Sequence, residues 1–159
     1  MALELSPSAR EKLRAITARY PNKMAACLPA LHLAQQEFGI TSAETCEVVA
    51  RELDLSPAHV WGVATFYTMY NKKAVGKFHV QVCTNIGCML RGGYDVLRRL
   101  EQVLGVRAGE TTLDKKFTLS EVECLASCGT AVCVQVNEEY SENMDPAKAE
   151  RLIEELRRA

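Results

Sequence analysis

The sequence carries no surplus of positive charge: 19 lysines and arginines stand against 20 aspartates and glutamates, for a net charge of −1. Neutralising phosphates requires such a surplus, so no nucleic-acid partner is expected. No apolar run approaches the roughly 20 residues that cross a bilayer, so no direct membrane insertion is expected either. The opening Met-Ala-Leu-Glu-Leu-Ser-Pro lacks a basic region followed by an apolar one, and Glu4 comes early for a transit peptide. The chain therefore reads as intracellular. No G-x-G-x-x-G opens a helix and no P-loop is present, which leaves no nucleotide site. No Ser-His-Asp or Cys-His motif reads as a hydrolase. There is no C-x-x-C, which disfavours dithiol exchange of the thioredoxin kind.

What the sequence does have is seven cysteines in 159 residues. The count is odd and no secretion signal precedes it, so a disulfide framework is not expected. The rest of the composition, 48% hydrophobic and 25% charged, is that of an ordinary globular protein. The length suits one domain, or a small domain with a helical extension.

The first half reads as a small bundle of four helices. Ser6-Pro7 pairs an N-cap with a proline at the first helical position. Leu13, Ile16 and Tyr20 then recur at helical spacing up to Pro21. A second helix is predicted from Lys23 to Phe38, ending at Gly39, with Pro29 kinking or splitting it. Thr41-Ser42-Ala43-Glu44 resembles a capping box for a third, and Ser56-Pro57 starts a fourth. The pattern changes between Asn71 and Gly76, which places a boundary there: a helical bundle over 1–74 and a second domain over 75–159. Residues 77–82 alternate as a strand does and run into Cys83. A helix is predicted after Cys88, with Leu90, Tyr94, Leu97, Leu100 and Leu104 on one stripe and Gly105 closing it. Phe117–Val122 reads as a second strand and residues 132–136 as a third. Asp145-Pro146 caps a last helix carrying Ala149, Leu152, Ile153 and Leu156 inward. Strand, helix, strands, helix behind a bundle is an α+β protein.

Two cysteine pairs carry the chemistry: Cys83 with Cys88, a C-x4-C, and Cys124 with Cys128, a C-x3-C. Both are predicted in loops after strands, where loops at one end of neighbouring strands converge. Four cysteines hold zinc or an iron–sulfur cluster. Zinc gathers four sulfurs on one ion and suits short knuckles. A [2Fe–2S] core gives each iron two sulfurs across a wider span, which the longer, unequal spacings favour. Buried apolar packing is the third reading. Gly87 and Gly129 beside the ligands are expected to allow close backbone approach, and the helix N-terminus after Cys88 to stabilise an anionic cluster. Gly92-Gly93 reads as close packing. Cys27 and Cys46, inside helices, read as small core residues, as does Cys133 in its alternating strand. His32, His59 and His79 lack the paired Cys-His motif of a Rieske centre. Trp61, Phe66, Tyr67 and Tyr70 read either as core or as a docking face.

Taken together, these residues resemble the small [2Fe–2S] subunit of respiratory complex I, NADH:quinone oxidoreductase, in the thioredoxin-like ferredoxin family. The likeness rests on Arg19-Tyr20-Pro21, the Leu28–Gly39 helix, Val63-Ala64-Thr65-Phe66-Tyr67, Gly76-Lys77, Leu104-Gly105-Val106 with Gly109, Phe117-Thr118-Leu119, Val136-Asn137 and both cysteine pairs. It implies a thioredoxin-like α/β ferredoxin domain behind the bundle, with Cys83, Cys88, Cys124 and Cys128 as cluster ligands. It also implies a partner flavoprotein subunit that binds NADH, FMN and a [4Fe–4S] cluster, and a large iron–sulfur subunit beside it. The chain itself would exchange single electrons with the partner's FMN, without binding NADH or turning over alone, in a peripheral arm on the cytoplasmic side of the inner membrane. The equivalent subunits of NAD-linked formate dehydrogenases and NAD-reducing hydrogenases, a free ferredoxin and a zinc-stabilised binding module are the alternatives. The family pattern Cys-Leu-Gly-x-Cys-x-x-Ala-Pro is broken twice: Ala126 stands for the glycine and Val132 for the proline, whose replacement restores an N–H donor.

Overall fold

A computed structural model describes residues 3–159. Met1 and Ala2 of the opening segment, read above for targeting signals, lie outside the described residues. The chain divides into two compact units, 1–74 and 75–159, each with its own core.

The first unit holds α1 (Pro7–Thr17), α2 (Cys27–Phe38), α3 (Ala43–Leu53) and α4 (Pro57–Phe66). Ser6, Ser42 and Ser56 each accept a hydrogen bond from the backbone N–H three residues on, satisfying donors that a helix start leaves free. The cap of α3 is thus Ser42; the Thr41 hydroxyl instead donates to Gln35 Oε1 at 2.9 Å. Two helices are shorter than their spacing predicts. Residues 18–20 leave α1 in tight turns, with N–H groups of Arg19 and Tyr20 reaching back only three residues. Residues 23–26 form a turn rather than the start of α2. Pro29 therefore falls at the third position of α2, where its missing N–H costs no intrahelical bond, and the helix is neither kinked nor split. Gly39 closes α2 in the left-handed conformation, at φ +74°. Leu31, Val49, Leu53, Val60 and Tyr70 fill the core with Cys27 and Cys46 among them. Tyr70 is buried and its hydroxyl donates to the Leu28 carbonyl at 2.9 Å. Phe66, by contrast, is 78% exposed.

The second unit holds a four-stranded sheet: β1 (Phe78–Cys83), β2 (Phe117–Val122), β3 (Val134–Val136) and β4 (Glu139–Ser141), in spatial order β2-β1-β3-β4. Between β1 and β2 come α5 (Ile86–Leu90) and α6 (Gly93–Leu104); α7 (Pro146–Arg158) follows β4. Strand β1 is central. It runs parallel to β2, from Phe78 opposite Phe117 to Cys83 opposite Val122, and antiparallel to β3. Val80, Val82, Phe117 and Leu119 pack with Val96, Leu97, Leu100 and Leu104 of α6 and Ala149 and Ile153 of α7. An Arg99–Glu150 pair at 2.6 Å ties the two helices together.

The single helix predicted after Cys88 is two. The chain breaks at Gly92, whose φ of +91° no ordinary helical residue adopts. Leu90 and Tyr94 are consequently exposed, and the inward stripe is Val96, Leu97, Leu100 and Leu104. The third strand is shorter than predicted, beginning at Val134, and turns through left-handed Asn137 into β4, a strand the alternation did not reveal. The connection over 105–116 runs antiparallel beside the first half of β2, where the Gly109 N–H donates to the Leu119 carbonyl at 2.7 Å, and turns at the sheet end opposite the cysteines, with Leu113 fully exposed.

Candidate metal centre

Parallel pairing brings the two cysteine segments to the same end of the sheet. Neighbouring parallel strands end at the same edge, so Cys83, the last residue of β1, lies across from Val122, two residues before Cys124. The edge is sewn further by the Thr84 N–H donating to the Val122 carbonyl at 3.3 Å and the Thr84 hydroxyl donating to Glu121 at 2.7 Å. Cys88 sits within α5, whose start is capped by Asn85, rather than in a loop; Cys128 opens a single 3-10 turn.

Cys83 and Cys88 are each 3% exposed, whereas Cys124 and Cys128 face solvent. Burial pushes the Cys88 thiol up. The Cys133 N–H, directed at its sulfur, opposes the shift, and the adjacent Cys83 and Cys128 thiols reinforce it. Cys88 thus feels two of the other three candidate sulfurs. As thiolates they would repel, and a cationic metal core relieves that repulsion by holding all of them ionised. The Cys124 sulfur accepts a hydrogen bond from the Ala126 N–H at 3.2 Å, the kind of donor that tunes a ligated sulfur. Among the described residues no three His, Cys, Asp or Glu side chains gather round one point. The donor set is soft, in two pairs on adjacent segments at one sheet end, and it suits an iron–sulfur group.

Cys133 is fully buried, as a core residue should be, yet it serves the site through its backbone: its carbonyl accepts the Cys83 N–H at 3.1 Å. Its own thiol is pushed up to about 11, first by burial and then by the neighbouring Cys88. Sequence reasoning overlooked this backbone role, because only β1–β3 pairing creates it. The close approach expected at the ligand-flanking glycines lies elsewhere. A Cβ on Gly129 would meet nothing within 4 Å and one on Gly87 would make ordinary contact with Cys128 at 3.7 Å, but one on Gly93 would stand 2.9 Å from the Cys88 carbonyl oxygen and 3.0 Å from that of Cys83. The helix start beside the candidate cysteines belongs to α5, with its one and a half turns.

The two departures from the family pattern are visible. The Ala131–Val132 peptide is cis, and Ala126 is left-handed at φ +57°. An L-residue there costs about 1–2 kcal/mol, of which glycine's greater unfolded-state freedom takes back about 0.5–1. Ala126→Gly is therefore expected to stabilise the metal-free second unit by up to about 1 kcal/mol, raising its melting temperature by a few degrees. A calorimetric melt that moved downward would contradict the strain.

A ferredoxin-type domain with a mixed four-stranded sheet and paired thiols at one end of it is the class this fold and site define, and the chain belongs to the thioredoxin-like [2Fe-2S] ferredoxin family, whose pattern matches residues 13–157. The cofactor of that family is a [2Fe–2S] cluster. Within it, the chain is similar to an E-type subunit of the NADH-quinone oxidoreductase of Rhizobium meliloti, the second of that type, with 44% identity over 94% of this chain and 89% of that one. It is likewise similar to the E-type subunit of the NADH-quinone oxidoreductase of Rickettsia typhi, with 46% identity over 88% and 84% respectively. Among solved structures, an NAD+-reducing [NiFe]-hydrogenase in the air-oxidised state superposes with a TM-score of 0.70 at 18% identity, over 82% of this chain and 22% of that one.

Proposed function

We propose that this chain is the one-electron carrier subunit of an NADH-quinone oxidoreductase and holds its [2Fe–2S] cluster on Cys83, Cys88, Cys124 and Cys128. The observation that carries the assignment is the parallel β1–β2 edge, which sets both cysteine pairs at one end of one sheet. When bound, the cluster supplies reversible one-electron chemistry. The protein's own part is to hold thiolates from two segments, to bury Cys83 and Cys88, and to aim the N–H groups of Cys133 and Ala126 at sulfurs, which raises the affinity for an added electron.

The relatives are subunits of a larger oxidoreductase, so the chain works with partner subunits. The finer reading is that it exchanges electrons with FMN on a flavoprotein subunit that also binds NADH, beside a large iron–sulfur subunit. Half-exposed Trp61 and Tyr67 and exposed Phe66 support the first unit as the docking extension, because aromatic anchors dominate protein interfaces. No helix among the described residues is long and apolar enough to cross a membrane. Placement in a peripheral arm on the cytoplasmic side of the inner membrane is part of the proposal.

The test is anaerobic purification with an iron and zinc count, a visible spectrum, and electron paramagnetic resonance after dithionite reduction. About two irons per chain and a rhombic reduced signal are expected. A colourless protein with one zinc would sink the electron-transfer reading. Co-purification with an FMN-containing subunit is the expected partner result, and a hydrogenase or formate dehydrogenase subunit in its place would reassign the complex.

A further inference from the structure

The second cysteine segment lacks a regular element to hold it: residues 123–127 belong to no helix or strand. Its restraint comes from the stretch between β4 and α7. Glu142 Oε1 accepts hydrogen bonds from the hydroxyl of Ser127 and, at 2.7 Å, from that of Thr130. The two hydroxyl oxygens are themselves 2.6 Å apart. Alongside, the Asn143 N–H donates to the Thr130 carbonyl at 2.8 Å and the Met144 N–H to the Val132 carbonyl at 3.0 Å. Ser127 and Thr130 flank Cys128, so one carboxylate grips the chain on both sides of that cysteine. The grip is anchored in turn: the Asn143 carbonyl accepts Lys148 Nζ at 2.7 Å, and Met144 is buried in the core that α7 completes.

We propose that Glu142 is the positioning residue of the second cysteine segment, fixing through Ser127 and Thr130 where Cys128 presents its sulfur to the cluster. The proposal rests on Cys128 being a ligand. Glu142 touches no metal; it acts through two hydroxyls, as outer partners do around ligated groups. The backbone bonds at Asn143 and Met144 restrain the downstream side of Cys128, at Thr130 and Val132. Glu142 adds a hold at Ser127, upstream of it. Hydrogen bonds from Ser127 and then Thr130 keep the carboxyl below its ordinary range, so the grip is made by an anion. The same fixed charge, standing near an electron-accepting group, disfavours reduction.

The experiment compares the full chain with Glu142→Ala, Glu142→Gln, the pair Ser127→Ala with Thr130→Ala, and all of Ser127→Ala, Thr130→Ala and Glu142→Ala combined. Two readouts are taken: alkylation of Cys128 by iodoacetamide in the metal-free chain, followed by mass spectrometry, and iron release to a chelator from the loaded chain with its reduction potential. Glu142→Ala is expected to speed iron release roughly tenfold, with a smaller rise in alkylation because Cys128 is already exposed. The hydroxyl pair is expected to do the same, and the combination to add nothing further, since all three act as one unit. Glu142→Gln keeps an acceptor oxygen; it is expected to release iron at the normal rate while the potential rises. Wild-type rates in Glu142→Ala, or effects that multiply independently, would overturn the proposal. If Glu142→Ala fails to fold, the hydroxyl pair and Glu142→Gln decide it. A wild-type chain that takes up no iron would defeat the ligand assignment instead, whereas a loaded wild type with an indifferent Glu142→Ala defeats this proposal alone.

Discussion

Gly93→Ala is expected to melt the second unit early and to prevent cluster assembly. The added Cβ would stand 2.9 Å from the Cys88 carbonyl oxygen, 3.1 Å from the Cys88 carbonyl carbon and 3.0 Å from the Cys83 carbonyl oxygen. All three are backbone atoms, so no side chain can swing aside. They belong to the two buried candidate ligands, and α6 starts directly against them. Relief requires α6 to lift from β1 or the ligand segment to shift, and either opens the core at Val96 and Leu100. Overpacking of this kind costs about 3 kcal/mol, or roughly 12–24 °C in the melting temperature of a unit this size. Gly129→Ala is the control. It also adjoins a candidate ligand, but its Cβ would meet nothing within 4 Å, and near-normal stability and iron content are expected. Thermal melts of both metal-free proteins, with iron counts after reconstitution, check the pair. An unperturbed Gly93→Ala would mean that the ligand segment and α6 are not packed as described.

Cys88→Ser is expected to remove essentially all bound iron while the apoprotein keeps its fold. Cys88 is buried between Cys83 and Cys133. A serine hydroxyl fills nearly the same space but does not ionise near neutrality, and iron–sulfur clusters are held by thiolates. Three sulfurs would then face a core that needs four. Cys133→Ala makes the contrast: that side chain is equally buried, but its described service to the site runs through its carbonyl and N–H, which alanine supplies equally. Two irons per chain are expected to remain there. Retention of a full cluster by Cys88→Ser, by iron count and resonance spectrum, would remove Cys88 from the ligand set.

Where function hung on local chemistry, the sequence was readable. Three serine caps, the aspartate cap of α7 and the alternation into Cys83 announced their elements, and the α+β class followed. The cysteine pairs pointed to a two-iron group before the fold did. What escaped was long-range or too short to show a period. Five residues of α5 do not make a helical stripe, so Cys88 read as part of a loop and Leu90 as part of the next helix. Strand β4 has three residues after a turn made possible by Asn137 at φ +54°. Pro29 looked like a helix breaker because its harmlessness depends on where α2 begins. Glu142 is an exposed glutamate among several in sequence, and only folding places it on Ser127 and Thr130. The glycine of consequence, Gly93, sits beside Gly92 in an ordinary-looking pair; which of the two is sterically locked depends on how α6 meets the Cys83 and Cys88 carbonyls.

The parallel pairing of β1 and β2 gives this domain a chemical polarity. At one pole lie all the sulfurs; at the other, about six residues or roughly 20 Å away along the strands, lies the 105–116 connection with Leu113 projecting into solvent. The two poles are addressed by different stretches of chain. That makes residue 113 the natural handle for a fluorophore or a purification graft, because whatever hangs there pulls on the end of this domain away from the cysteine pairs.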